Sequence, residues 1–305
     1  MAREYRFVQV DVFTDRVFGG NPLAVVLDGS GLTDGEMAAI AGEMNLSETT
    51  FVLPPTRPDC DARVRIFTPR RELAFAGHPT IGTSFVLATR GMLPAGARTL
   101  TLEEGVGPVP VRLEGDSAAP DFLWMRHGAA TFGPPLAPRA DFAAALGLTE
   151  ADLLPDAPIQ TGTTGSAFLY IPLKDRAVVD RAALDVSAIL RCFSDMTAVG
   201  VFIFAPDSRP HSTDDRVYAR MFAPHTSGIP EDPATGSASG PLGAYLVRHG
   251  IVTAEETVRI VSEQGTKMGR QSFIHIAVAT EAGAVTGIEV GGSAVPVLEG
   301  TLTLS

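Results

Sequence analysis

The sequence predicts an α+β protein built from two similar halves. Three observations carry that expectation. Strand-type and helix-type runs follow one another along all 305 residues. One set of motifs occurs twice. Apolar residues make up 45% of the chain, enough to bury the cores of two mid-sized domains.

The elements follow in order. RFVQVDVF (6–13), LAVVL (23–27), TTFVL (49–53) and ARVRIF (62–67) are rich in Val, Phe and Ile and read as strands. TDGEMAAIAGEM (33–44) reads as a helix: Thr33 and Glu36 make a capping box, and Met37, Ile40, Ala41 and Met44 share a face. PTIGTSFVLATRG (79–91) opens on proline and stops at glycine, the punctuation of a helix. FLWMR (122–126) is a further strand. RHGAATFGPPLAPRADF (126–142), rich in Gly, Pro and Ala, reads as an interdomain linker, which sets domains of 1–126 and 127–305. Strand runs resume at 166–173, 199–205, 216–223, 257–261 and 273–279, and one long run covers 286–304. PDSRPHSTDDR (206–216) is a polar loop, and PLGAYLVRHG (241–250) is a second Pro-early, Gly-late helix.

The repeat sharpens this picture. RIFTPRRELAFAGHPT begins at Arg65 and RMFAPHTSGIPEDPAT at Arg220, 155 residues later, while His78 and Asp232 are 154 apart. Each motif runs strand, Phe-x-Pro, loop, X-Pro and helix, which points to an internal duplication and to two halves facing each other.

Composition excludes several classes of function. A net charge of −11 and a pI near 5.0 repel phosphate backbones, so nucleic acid is not an expected partner. No apolar run reaches the roughly 18 residues of a membrane span, and MAREYRFVQVDVF has no secretory pattern, so the cytoplasm is the expected compartment. Cys60 and Cys192 lack CxxC spacing and read as inert thiols. His78, His127, His211, His225, His249 and His275 show no ligand spacing, so no metal is expected.

The two X-Pro motifs carry the candidate chemistry. A residue before proline is pushed out of the helical region, and proline suits a first turn. His78 and Asp232 are therefore expected just ahead of helix starts, where free N–H groups and the positive end of the macrodipole favour an anion. Gly77 and Gly236 let a ligand approach the backbone. Glu48, between the capped helix and a strand, is the candidate general base, with Thr197 or Ala198 near the matching place of the second half. Plainer roles exist for each: Asp232 as an N-cap, His78 as a loop residue, Ser237 as a small helix-start residue, Glu48 as a solvated strand end. GHPTIG lacks a nucleotide-loop pattern.

Together VDVFTDRVFGGNPLAVVLD, MNLSETTFVLPP, RIFTPRRELAFAGHPT, GIPEDPATGSASGPLGAYLVRHG and QGTKMGRQS resemble the PhzF-like isomerase family of phenazine biosynthesis, from about residue 7 to about residue 303. The resemblance implies the diaminopimelate-epimerase-like fold: two pseudo-symmetric domains, each a mostly antiparallel sheet wrapped around a central helix, with the active site between them. The strand 294–304 is then expected to cross back to the first domain. It implies a cofactor-independent isomerase that moves a proton on a small unsaturated or cyclic carboxylic acid, as on trans-2,3-dihydro-3-hydroxyanthranilate. Glu48 is then the acid/base, with His78, Asp232 and Ser237 assisting. Asn21, Gly77, Thr235 and Gly236 line the pocket, no metal or organic cofactor is implied, and a homodimer is expected. The cysteine pair of diaminopimelate epimerases falls here near Ala76 and Pro233. Ala74 and Gln271 stand where proline is frequent in the family. A binding protein of the same fold and an amino-acid epimerase are the alternative readings.

Overall fold

A computed structural model describes residues 2–193, 198–207, 214–223 and 229–304. Thr197, His211, His225 and most of the 206–216 loop lie outside the described residues. The chain divides into two compact units, Met1–Arg126 with Val290–Ser305, and His127–Glu289.

The first unit holds β1 (Arg3–Val12), β2 (Asn21–Val26), α1 (Asp34–Met44), β3 (Glu48–Leu53), β4 (Ala62–Phe67), β5 (Glu72–Leu73), α2 (Gly77–Thr89), β6 (Thr99–Glu104), β7 (Gly107–Asp116) and β8 (Ala119–Arg126). The second holds β9 (Thr131–Phe132), α3 (Arg139–Ala145), β10 (Gln160–Thr163), β11 (Ala167–Pro172), α4 (Arg176–Arg181), α5 (Val186–Cys192), β12 (Ala198–Pro206), β13 (Asp215–Ala223), β14 (Ile229–Asp232), α6 (Gly236–Arg248), β15 (Thr257–Gln264) and β16 (Ser272–Glu281). After β17 (Ala284–Gly292), β18 (Ala294–Leu304) pairs antiparallel with β1 across its whole length, Arg3 opposite Leu304 and Val12 opposite Ala294.

The two units repeat one pairing scheme. In the first, β1–β2 is antiparallel, β2–β3 parallel, β3–β4 antiparallel, β4–β6 parallel and β6–β7 antiparallel. In the second, β10–β11, β11–β12, β12–β13, β13–β15 and β15–β16 run through the same succession. A short antiparallel strand follows the fourth of these strands each time, β5 on β4 and β14 on β13. Pairing of side chains follows the two-residue period: β16 alternates buried and half-buried residues from Ser272 to Val278, one face to the core.

Each unit is built round one helix. α2 packs on β1, β2, β3, β6, β8 and β18, and α6 on β10, β11 and β16. Every residue from Gly77 to Ala88 and from Gly236 to Val247 is buried, which is why neither helix shows an amphipathic stripe in sequence. Gly82 permits the close contact: a Cβ there would lie 2.7 Å from Leu23 Cδ2 and from Val12 Cγ2. Both helices end alike. Gly91 and Gly250 take left-handed φ of 65° and 64°, and the N–H groups of Met92 and Ile251 bond back to the carbonyls of Leu87 and Leu246.

Several expectations need correction. Both central helices begin earlier than the prolines suggest. α2 starts at Gly77, so His78 is its second residue and not a residue ahead of it. Pro79 still occupies the first turn, where its missing N–H is no loss, and burial of the helix overrides the pre-proline bias. α6 starts at Gly236, which leaves Pro241 inside the helix and Asp232 at the end of β14. Counted from the helix starts, the counterpart of His78 is therefore Ser237, and that of Asp232 is Leu73 at the end of β5. The strand offset of 155, Ile66 to Met221, grows to 159 by the helices, so the second unit carries four extra residues between them.

The stretch 126–142, read as a linker, contains β9 and the start of α3. The run 286–304 is two strands broken at Ser293, whose carbonyl accepts the N–H of Phe13. The β6–β7 hairpin escaped the reading because Pro108 and Pro110 fall inside β7, opposite Glu103 and Thr101. Cys60 and Cys192 are free thiols, and burial pushes both up. Among the described residues no helix is long and apolar enough to cross a membrane.

Candidate active-site residues

In the first unit three strand and helix starts bring Asn21, Glu48 and His78 together. The capping box forms as expected, with Glu36 N–H bonded to Thr33 Oγ1 and Thr33 N–H to Glu36 Oε2 at 2.8 Å. α1 then stops at Asn45, left-handed with φ 50°, which reverses the chain and delivers Glu48 to the first position of β3 beside Leu23 of β2. Asn21 opens β2, fully buried. His78 lies in the first turn of α2, with 4% of its surface exposed.

The Asn21 amide nitrogen is 3.1 Å from His78 Nδ1. An amide NH2 only donates, so Nδ1 accepts, and the neutral ring carries its proton on Nε2. That nitrogen faces Glu48 Oε2 at 3.3 Å. Burial pushes His78 down from 6.5 to about 3, so the ring is neutral near pH 7. The Glu48 side chain is 13% exposed, so it is not a solvated strand end.

The loop before Asn21 is strained. Phe13, Phe18 and Gly20 all take left-handed φ, of 65°, 68° and 60°. The buried Asp11 carboxylate accepts the Phe18 N–H at 2.6 Å and holds the loop against that cost. A Cβ on Gly20 would lie 2.3 Å from the carbonyl oxygen of Val12. Gly20→Ala is expected to cost about 2 kcal/mol, from the left-handed conformation and this contact. A urea midpoint equal to that of the parent protein would show that the loop relaxes freely.

In the second unit Asp232, Thr235, Gly236 and Ser237 cluster at the start of α6. Asp232 is not the N-cap; Thr235 holds that position, and its hydroxyl donates to Asp232 Oδ2 at 2.5 Å. Sequence reasoning missed the residue that organises this turn. Gln264, the last residue of β15 and fully buried, accepts the Thr235 N–H at 3.1 Å. It donates to the Asp232 carbonyl at 2.7 Å and to Thr235 Oγ1 at 3.0 Å. A glutamine inside a buried strand must find partners for its whole amide, and here all of them come from the turn ahead of α6. Next to it Glu263 takes both guanidinium nitrogens of Arg176, at 2.8 and 3.1 Å, together with Thr266 Oγ1 and Gln271 Nε2.

The place matching Glu48 falls on Gly200: Thr49 pairs with Phe67 and Val201 with Phe222. That position carries no carboxylate. His127 is the other deeply buried imidazole among the described residues, with Nδ1 2.8 Å from Thr164 Oγ1, and burial pushes it down to about 4. His78 and His127 are both held below the value of 6.5 they have unfolded, so the native chain binds fewer protons than the unfolded one. The contribution of these two groups to stability is thus full above pH 6.5 and is lost as pH falls toward 4 and 3. A denaturation series across that window is expected to show a falling midpoint, less steep in His127→Gln.

Architecture and side chains together define a protein of the diaminopimelate-epimerase-like fold, a class that carries isomerases. The chain belongs to the phenazine biosynthesis-like protein family, whose model matches residues 10–300. It is 33% identical to an uncharacterized isomerase of Clostridium acetobutylicum over the full length of both chains. It is 35% identical to the trans-2,3-dihydro-3-hydroxyanthranilate isomerase of Pseudomonas aeruginosa, over 97% of this chain and 98% of that one. A crystal structure of a PhzF-family phenazine biosynthesis protein of Bacillus anthracis superposes with a TM-score of 0.88 at 28% identity, over 98% of this chain and 99% of that one.

Proposed function

We propose that the chain is a cofactor-independent isomerase that moves a proton between carbons of a small unsaturated or cyclic carboxylic acid, with Glu48 as the acid/base. The observation that carries this reading is the buried Glu48–His78–Asn21 cluster, in which a neutral imidazole sets its Nε2 3.3 Å from a carboxylate oxygen. Glu48 takes a proton from an activated carbon, the electron pair spreads into the conjugated acid, and the same carboxyl returns the proton to a second carbon. One group serves both steps when the intermediate is held and water kept out. His78, neutral near pH 7, donates its Nε2–H to whichever oxygen bears the charge. Gly77 stands beside His78 in the first turn of α2, which has no side-chain cap, and this end of the helix favours the anion. Asp232, Thr235, Gly236 and Ser237 form a second set of proposed substrate contacts, held in shape by Gln264.

The relative from Pseudomonas aeruginosa supplies the first compound to test, trans-2,3-dihydro-3-hydroxyanthranilate. The protein, incubated in D₂O with that acid and with other small unsaturated acids, is expected to place deuterium on carbon without added metal or cofactor. Proton NMR reads the exchange. Absence of exchange with every compound, from protein shown to be folded, would overturn the reading.

A further inference from the structure

Glu104 is a buried carboxyl that the proposed chemistry does not use. It ends β6 with 5% of its surface exposed, and its Oε1 lies 2.6 Å from Thr80 Oγ1. The same hydroxyl lies 2.8 Å from the carbonyl oxygen of Ala76. A hydroxyl has one hydrogen and here has two acceptors if Glu104 is ionised. Both contacts are hydrogen bonds only if the carboxyl itself donates to Thr80 Oγ1 and Thr80 passes its own hydrogen to Ala76. Glu104 Oε2 has no hydrogen-bond partner among the described residues, an arrangement that costs a carboxylate far more than a neutral acid. Burial pushes Glu104 up from 4.5 to about 8, opposed only by the Thr80 bond.

The surrounding charges leave that picture intact. β6 packs on β4, β7 and α2. On β4, Arg65 is committed to Glu72 and Asp34. On β7, Arg112 pairs with Glu114. Glu103 is held by Thr56 and the Arg57 N–H. His78 on α2 is neutral above pH 5, which leaves Arg63 and Asp116, and neither acts on Glu104.

What Glu104 holds matters to the site. Ala76 is the N-cap of α2, and Gly77 and His78 follow it. The turn after Glu104 grips the same loop from its other end: Val106 N–H bonds to the Ala74 carbonyl at 3.1 Å, and Gly105 sits so close that a Cβ would lie 2.7 Å from Ala74 Cα. We propose that Glu104, as the protonated acid, is a positioning residue that fixes the Ala74–His78 entry of α2 through Thr80, so that its ionisation releases His78 from its place beside Glu48. This inference rests on the isomerase reading for its catalytic consequence but not for its structural one. The sign follows from the shift: the native chain holds this proton more tightly than the unfolded one, so stability falls as pH rises from about 4.5 toward about 8.

The test follows the His78 ring by NMR of ¹⁵N-labelled protein between pH 6 and pH 10, beside the rate of proton exchange into trans-2,3-dihydro-3-hydroxyanthranilate. His78 does not titrate in this range, so any movement of its signals reports a neighbour. In the parent protein the signals are expected to shift with a midpoint near 8, and the rate to fall with the same midpoint. In Glu104→Gln the amide donates to Thr80 without titrating, and both midpoints are expected to vanish. Thr80→Val, which cuts the relay and leaves the acid, is expected to abolish the His78 response as well, and serves if Glu104→Gln does not fold. His78 signals flat through pH 8 in the parent, or the same midpoint in Glu104→Gln, would overturn the proposal. A His78 response without any exchange activity would sustain it and count against the isomerase reading instead.

Discussion

Glu48→Gln is expected to lower the rate of proton exchange and of product formation about 10²–10⁴-fold, the usual contribution of a positioned acid/base. The substitution is nearly isosteric, and the amide retains an oxygen that can face the His78 ring. The fold is therefore expected to survive, with a denaturation midpoint close to that of the parent protein. What is removed is the capacity to hold a proton between two carbons, because an amide is not a base in this pH range. The fall is expected in kcat, with KM little changed, since the substrate's carboxylate would be held by groups other than Glu48. Parent-like exchange in Glu48→Gln would remove Glu48 from the role and turn attention to Asp232, the remaining carboxylate of the proposed set. Lost activity accompanied by a lowered midpoint would mean that the carboxylate is structural.

The sequence announced its strands well where each buries one face or both. β4 was read at Ala62–Phe67, as it stands in the structure, because Arg63, Val64, Arg65 and Ile66 alternate cleanly. It announced α1 by the Thr33–Glu36 capping box, a signal local to four residues. It misplaces the starts of both central helices, because a helix buried on all sides loses its polar face and keeps only its punctuation, and the prolines at 79 and 241 mimic helix starts. Pro241 is tolerated inside α6 although it lacks an N–H, and the starting point slipped by five residues on that account. The shared X-Pro dipeptides pair His78 with Asp232, whereas the strand and helix frames give Ser237 and Leu73 as the partners. The two units thus share a scaffold but place different chemistry on it, first unit against second: an imidazole against a hydroxyl in the first helical turn, the isobutyl group of Leu73 against the carboxylate of Asp232 at the end of the short strand, and Glu48 against Gly200. Gln264 stayed hidden for another reason. A lone glutamine in a strand has no periodic signature, and its three bonds become visible only when Thr235 is brought to it from 29 residues away.

Gln264→Leu is expected to destabilise the chain by about 2–4 kcal/mol, the largest loss foreseen for a single side chain outside the apolar cores. Leucine fills a similar volume, so the cost is one of unmade bonds and not of a cavity. It removes the amide partner of the Thr235 N–H and of the Asp232 carbonyl, both in buried residues. Gln264→Glu discriminates between volume and bonding. A carboxylate could still accept the Thr235 N–H, but it would face the Asp232 carbonyl and the Thr235 hydroxyl oxygen with no hydrogen to offer unless it were protonated. It is therefore expected to be destabilising at pH 8 and partly restored near pH 5, where a buried carboxyl takes up its proton. Urea midpoints of the three proteins at the two pH values measure this directly. If Gln264→Leu unfolds at the parent midpoint, the amide is not what shapes the turn ahead of α6, and the arrangement of Asp232, Thr235 and Ser237 must be attributed to the strand β14 and to the helix itself.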